Sequence, residues 1–332
     1  MPATRWGCVG PGKISWDFFL AIQDNLPKAD HDFVAVASRD QDRAQKFADK
    51  FHFKKAYGSY EELAQDKDVE VVYIGTVHIS HAELSIKMLK AGKHVICEKP
   101  MGMNYKQVKQ VLDVAKEQKH LFVEAVWSRW FPVYEKIREE LATGCIGDPR
   151  LVQASFCKPI ANVGRINDIK VGGGGLLDIG IYVVQFAVFV YNEMPETITV
   201  VGNMRGDVDE SACIILKYKN GAMANLTYHT DAGTGTNTAT ILGKKGRIQV
   251  DSPFHCPTTM TSSSGTFKFA LKDGDYFHGN SAGLHYEAAA VRECINKGLQ
   301  ESPNFIHSDS ELVHRIMDEV RKQIGMEYPD FD

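Results

Sequence analysis

The sequence predicts two domains of different class: an α/β domain over residues 1–126 and an α+β domain over residues 127–332. Three observations carry this. Over the first 126 residues, short runs rich in Val and Ile alternate with segments of helical spacing. That is the pattern of parallel strands joined by crossover helices. After residue 150, strand-like runs follow one another through short turns, as in an antiparallel sheet. Finally, 332 residues exceed what one hydrophobic core commonly organises.

In the first domain, RWGCVG, FVAVAS, VEVVYIG, HVICE and LFVEAV read as five strands. Between them, WDFFLAIQDNL, DRAQKFADKF, HAELSIKMLKAG and NYKQVKQVLDVAKEQ have the apolar period and polar face of surface helices. Gly92 closes the third of these. In the second domain, LVQASFCKP, ETITVVGN, SACIILKYK, AMANLTYHT, NTATILG and RIQVDS read as strands. Asn220-Gly221 is a hairpin turn and Lys244-Lys245-Gly246 a second turn. The helices LHYEAAAVRECINKG and DSELVHRIMDEVRKQIG end the chain, so this domain should be a mostly antiparallel open sheet with helices on one face.

Apolar residues make up 44% and charged residues 24%, with a net charge of −4 and no basic block. This composition speaks for a soluble protein and against a nucleic-acid partner. MPATRWGCVG has no charged-then-apolar signal pattern, and IYVVQFAVFVY is short for a bilayer and holds Gln185. No membrane role is therefore expected. The seven scattered cysteines have no C-x-x-C spacing, which fits reduced thiols in a cytoplasmic protein. His78 and His81 stand three apart without a supporting ligand cluster, so no metal is expected.

Four motifs can carry chemistry. Gly10-Pro-Gly12 follows the first strand and opens a helix, as in a Rossmann dinucleotide turn. One glycine turns tightly, the other admits a pyrophosphate, and the helix N-terminus supplies N–H donors. Ser15 stands where a third glycine is usual. At the second strand's tip come Ser38 and Arg39, with Arg43 one turn on. A guanidinium there suits the 2′-phosphate of NADP, whereas a carboxylate suits the ribose of NAD; Asp40 offers the second reading. Lys99 of CEKP sits at a strand's carboxyl end, the edge where open parallel sheets bind ligands. Trp127 follows the fifth strand at the same edge and can wall a substrate pocket.

The fourth motif is GGGGLLDIGIYVVQ, residues 172–185, which puts Asp178 and Tyr182 one helical turn apart. A phenol is a poor base near neutral pH unless a cation lowers its pKa, and Lys99 is a candidate. Asp178 then holds the lysine or the substrate. Alternatively, Tyr182 is a core aromatic and Asp178 a helix N-cap. GNSAG at 279–283 matches a hydrolase elbow but lacks the buried strand that such an elbow needs.

With these motifs assembled, the chain resembles the glucose-fructose oxidoreductase/inositol dehydrogenase/rhizopine-catabolism (Gfo/Idh/MocA) family over nearly its whole length. The resemblance rests on the glycine turn, Glu98-Lys99-Pro100, GGGGLLDIGIY and the two-domain pattern. Many relatives carry histidine where this chain has Tyr182. The resemblance implies that Tyr182 is a general acid/base and Lys99 its pKa-lowering partner. It implies a substrate site with Trp127, Phe156, Asp178 and Tyr182. Cofactor contacts fall to Gly10, Gly12, Ser15, Ser38, Thr76, His78, Glu98 and Lys99, with an NADP phosphate near Arg39 and Arg43. The expected activity is NADP-dependent oxidation of a secondary alcohol on a small cyclic diol or sugar. The alternatives are reduction of a dicarbonyl sugar on the same fold, or a non-catalytic NADP sensor. A homodimer through the open face of the second sheet is expected.

Overall fold

The computed structural model describes residues 1–233 and 237–332 and divides the chain into two compact units. The first comprises residues 1–102, 107–127 and 271–307; the second comprises 103–106, 128–270 and 308–332.

The first unit opens with β1 (Thr4–Val9), α1 (Lys13–Asn25), β2 (His31–Ala37), α2 (Gln41–Phe51), β3 (Lys55–Tyr57) and α3 (Tyr60–Gln65). It continues with β4 (Val71–Ile74), α4 (His81–Lys90), β5 (His94–Glu98), α5 (Tyr105–Gln118) and β6 (Phe122–Ala125). All six strands are parallel, in the order β3-β2-β1-β4-β5-β6. The sequence reading found five of them. It missed β3, whose three residues are too short to show any period. Strand alternation explains why helices cover both faces. Val9, Val72 and Ile74 point into an apolar cluster with Leu63, Met88, Val108 and Leu112 from α3, α4 and α5. Trp6 and Tyr73 point the other way, into rings from α1 and α2: Phe18 stacks on Tyr73 at 4.0 Å, and Phe19 meets Phe47.

Next come α6 (Pro132–Ala142), β7 (Pro149–Cys157), α7 (Ile181–Tyr191), β8 (Thr197–Arg205), β9 (Val208–Lys217), β10 (Met223–His229), β11 (Asn237–Gly243) and β12 (Arg247–Val250). The chain ends with β13 (Thr259–Ser262), β14 (Gly265–Lys268), α8 (Leu284–Asn296) and α9 (His307–Ile324). The second sheet has eight strands, ordered β14-β13-β12-β11-β7-β10-β9-β8. Every pair is antiparallel except β7 with β10. Asn220-Gly221 turns β9 into β10 with Gly221 at φ 78°, and Gly243 N–H bonds Gly246 across the β11–β12 turn. The hairpin β13–β14 and the helix α6 escaped the sequence reading.

α7 packs against β7 and β10. Gln185, the polar residue in its apolar stretch, accepts from Arg129 Nε at 2.6 Å and donates to Tyr134 Oη at 2.9 Å. Arg129 also pairs with Asp309 at 3.1 Å, and burial lowers its pKa to about 10. The stretch 169–191 is long and apolar enough to cross a membrane, but 89% of its most apolar window lies inside the protein. It is a core segment.

The chain passes into the second unit at 127/128, next to the expected 126/127, but residues 271–307, with α8, return to the first unit instead of staying in the second. α8 packs on α1, and its Arg292 donates to Pro2 O and to Asp30 Oδ1, each at 2.8 Å. Helical period announces a helix but not the sheet it covers.

His31 gives this unit a pH dependence. Its Nδ1 accepts from Trp6 Nε1 at 3.0 Å. Burial, helped by the Arg292 charge, lowers its pKa from 6.5 to about 4, against the pull of Asp30. The folded state thus prefers neutral His31. Its contribution is complete above pH 6.5 and is lost as pH falls through about 4. Urea unfolding over that range should show a steeper loss of stability in the parent than in His31→Gln; equal slopes would contradict this role.

Candidate active site

The carboxyl ends of β1, β2, β4, β5 and β6 share one edge of the parallel sheet, and most of the expected first-unit residues gather there. Gly10 has φ 87°, and a Cβ on it would lie 2.7 Å from Thr76 Cγ2. Only glycine suits that place. Gly12 is the N-cap of α1, which takes no side-chain cap bond among the described residues, so backbone N–H groups open the helix. Ser15 replaces the third glycine without loss of close packing. Its Oγ donates to Gly10 O at 2.6 Å, and a Cβ at Gly75 would lie 2.3 Å from that oxygen. The space that glycine leaves in related turns has moved to Gly75.

At the tip of β2, Ser38 is buried and its Oγ accepts from Asp40 N–H at 3.2 Å. Asp40 caps α2 by accepting from the N–H groups of Asp42 and Arg43. Arg39 is exposed beside it. Arg43 donates through Nε and Nη2 to Pro11 O, at 3.2 and 3.0 Å, and so braces the glycine turn. Thr76 follows β4, and His78 lies in the 3-10 turn after it. His81, first residue of α4, is buried with one ring nitrogen 2.7 Å from Pro100 O and the other 3.1 Å from Thr76 O. It joins the loops after β4 and β5, and burial holds its pKa down.

Glu98 ends β5, buried, and accepts from Tyr73 Oη at 2.6 Å. Burial pushes its carboxyl up, against that hydrogen bond and the Lys99 charge. Lys99, the next residue, is partly buried. Trp127 begins the 3-10 turn after β6 and is 7% exposed. GNSAG is not a nucleophile elbow: Ser281 Oγ donates to the buried Asp17 carboxylate at 2.8 Å, and His278 Nδ1 lies 2.9 Å from the same oxygen. Among the described residues, no group of three or more His, Cys, Asp or Glu side chains is placed to hold a metal.

The second unit holds Asp178, Tyr182 and Phe156. The glycine run lets backbone approach side chains closely. Gly174 has φ 121°, and a Cβ there would lie 2.3 Å from Asp209 Oδ1. Asp209 accepts from Leu176 N–H at 2.6 Å and from Tyr228 Oη at 2.7 Å, and Tyr328 Oη donates to Gly173 O at 2.5 Å. So anchored, residues Leu176–Gly180 form a π-helical turn that leads into α7. Asp178 lies in this wide turn, and its Oδ1 accepts from Arg165 Nη1 at 2.9 Å. Arg165 comes from the loop 161–171, and its side chain is 49% exposed. Tyr182 lies in the first turn of α7 with its ring 5.8 Å from Phe156. His255 completes this group: its ring stacks on Phe156 at 4.4 Å and lies 5.2 Å from Tyr182. Sequence reasoning missed His255 and Arg165, since neither belongs to a motif.

Residues 4–125 match the model of the Gfo/Idh/MocA oxidoreductase family's NAD-binding Rossmann fold, and residues 134–249 match that of its C-terminal domain. The chain belongs to this family and is a dehydrogenase that uses a nicotinamide dinucleotide. More particularly, it is similar to the trans-1,2-dihydrobenzene-1,2-diol dehydrogenases of Xenopus tropicalis and Homo sapiens. Each is 43% identical to it, over 98% of this chain and 100% and 98% of theirs. Among solved structures it is similar to KijD10, a 3-ketoreductase from Actinomadura kijaniata in complex with NADP and TDP-benzene. That likeness has a TM-score of 0.82, 27% identity and coverage of 97% and 98% of the two chains. Levoglucosan dehydrogenase shares the fold, with TM-score 0.85 at 20% identity over 97% of both chains.

The glycine turn fits the cofactor's pyrophosphate: Gly10 and Gly12 leave backbone open, and α1 begins there. Gly10→Ala should weaken binding of the reduced nicotinamide dinucleotide about tenfold or more, from strain at positive φ and the clash with Thr76. Fluorescence titration measures it, and unchanged affinity would contradict the assignment.

Proposed function

We infer that the protein is an NADP-dependent dehydrogenase that oxidises a secondary alcohol on a small cyclic diol or sugar. Its substrates are a trans-dihydrodiol of an arene, taken on to a catechol, or an aldose such as D-xylose, taken to its lactone. The observation that carries this reading is the 43% identity, over essentially full length, to enzymes named trans-1,2-dihydrobenzene-1,2-diol dehydrogenase. NADP rather than NAD is supported at the tip of β2. Asp40 Oδ1 accepts from the Asp42 and Arg43 N–H groups as the cap of α2, and the exposed Arg39 offers a guanidinium beside it.

When bound, the nicotinamide supplies the hydride acceptor. Gly10, Gly12 and Ser15 shape the pyrophosphate turn; Ser38, Arg39 and Arg43 hold the 2′-phosphate end; Thr76, His78 and Glu98 line the sheet edge. Tyr182 takes the hydroxyl proton, and Lys99 favours its phenolate. Asp178, held by Arg165, orients the substrate, and Phe156 and Trp127 wall it. The similarity to a 3-ketoreductase favours one second reading, in which the same residues reduce a dicarbonyl sugar and Tyr182 donates the proton.

Two associated readings complete the proposal. The open face of the second sheet carries an uncharged row, Ser155, Thr227, Cys213 and Val201, across β7, β10, β9 and β8, with Val201 76% exposed. Such a row suits a homodimer, which light scattering tests as a mass near twice 37.0 kDa. Seven free cysteines suit the reducing cytoplasm, testable by imaging a tagged chain.

Tyr182→Phe tests the reading. It should lower kcat/KM by about 10²–10⁴-fold while NADPH still binds. A loss of only a few-fold would refute the acid/base role. Arg39→Ala should raise KM for NADP about tenfold and leave KM for NAD near the parent's; an equal change for both cofactors would remove the phosphate assignment.

A further inference from the structure

Residues 271–283 lead α8 back to the first unit, and one buried carboxylate receives them. Asp17, in the second turn of α1, is fully buried. Its Oδ1 accepts from Phe277 N–H at 2.8 Å, and its Oδ2 from His278 N–H at 2.9 Å and Ser281 Oγ at 2.8 Å. Those three bonds already tie the segment to α1. A fourth comes from the His278 ring, whose Nδ1 lies 2.9 Å from Oδ2. A carboxylate only accepts, so Nδ1 carries a proton there. Nε2 lies on the far side of the ring and has no hydrogen-bond partner among the described residues. The side chain is 45% exposed. A carboxylate–histidine pair of this kind sets which nitrogen is offered to a ligand.

The ring stands at the cofactor edge of the first unit. Phe277, the residue before it, lies across the start of α1. Lys13 Nζ is 5.4 Å from its ring centroid and the Trp16 ring 5.8 Å. Lys13 is the first residue of α1, next to Gly12 of the glycine turn. His278 is also within electrostatic reach of the end of β5. Burial pushes the Glu98 carboxyl up, and the Tyr73 hydrogen bond and the charges of Lys99 and His278 draw it back. The charged groups around His278 are thus Asp17 and Lys13 of α1 and Glu98 and Lys99 at the end of β5. A diphosphate brings negative charge to the N-terminus of α1. Asp17, one turn in, opposes it, and the opposition grows where water is excluded. An imidazolium between the carboxylate and the diphosphate removes it.

We propose that His278 is a cofactor-binding residue: as an imidazolium backed by Asp17, it donates from Nε2 to the diphosphate of the dinucleotide. Asp17 is its positioning residue. The inference rests on the glycine turn as the diphosphate site, and it applies to NADP and NAD alike.

The test is binding, read in two ways. Fluorescence titration of the full-length protein gives the affinity for NADPH and NADH in the parent, His278→Asn and His278→Gln. Phosphorus NMR then reads the diphosphate resonances of whichever dinucleotide the parent binds more tightly. His278→Asn keeps a donor for Asp17 but places nothing at the Nε2 position. It should weaken that dinucleotide about tenfold near pH 6 and move the bound diphosphate resonances. The parent's affinity should fall about tenfold between about pH 6 and 8.5, where imidazole loses its charge, and that of His278→Asn clearly less. His278→Gln, whose neutral amide reaches the Nε2 position, should recover part of the affinity without the parent's pH dependence. Affinity within about twofold of the parent's in His278→Asn would overturn the inference, as would bound diphosphate resonances that match the parent's. A parent that binds neither dinucleotide would remove the diphosphate site itself, and the inference with it.

Discussion

The carboxylate of Asp209 lies in the interior of the second unit, where it accepts from Leu176 N–H and from Tyr228 Oη. Such donors, both meeting Oδ2 here, offset part of the cost of burying a carboxyl. This one fixes where the chain leaves the glycine run and starts to coil. The glycines are required by the approach: a side chain at 174 would enter the carboxylate, and one at 180 would enter the Tyr228 ring. From that anchor the π-helical turn carries Asp178, and α7 carries Tyr182. An acid and a phenol thus stand in a greasy segment because a second acid, from a different strand, holds the segment's start.

The first unit uses the same device for a different purpose. Gly10 and Gly75 bring backbone within reach of Thr76 and Ser15, and the turn they form faces the edge where β1, β2, β4 and β5 end. That edge suits any dinucleotide. At the tip of β2, Asp40 caps α2 and Arg39 lies exposed beside it, which is the ground for proposing NADP over NAD. In the second unit, Phe156, Tyr182 and His255 assemble from β7, α7 and the turn after β12.

Much of this was legible in the sequence. Gly10, Gly12, Lys99 and the 172–185 segment stand in motifs whose spacing is set by chemistry, and strong strand or helix periods flank them. Ser15 looked like a weak third glycine; its compensation by Gly75 is a contact across 60 residues that no local pattern reveals. The affiliation of α8 was misread because the buried stripe of a helix does not name its partner. β3 was too short to be periodic. Arg165 and His255 were invisible for a related reason. Each takes its place from tertiary neighbours, Asp178 in one case and Phe156, Asn237 and Tyr182 in the other.

The central claim is that this chain moves a hydride from a secondary alcohol to NADP. Its most direct test is NADPH formation, followed by absorbance, with NADP⁺ against NAD⁺ for D-xylose and for a benzene trans-dihydrodiol. The account predicts turnover of both substrates with a marked preference for NADP⁺. Tight NADPH binding without oxidation of either substrate would contradict it, and reduction of a dicarbonyl sugar by the same preparation would show that the enzyme runs in the other direction.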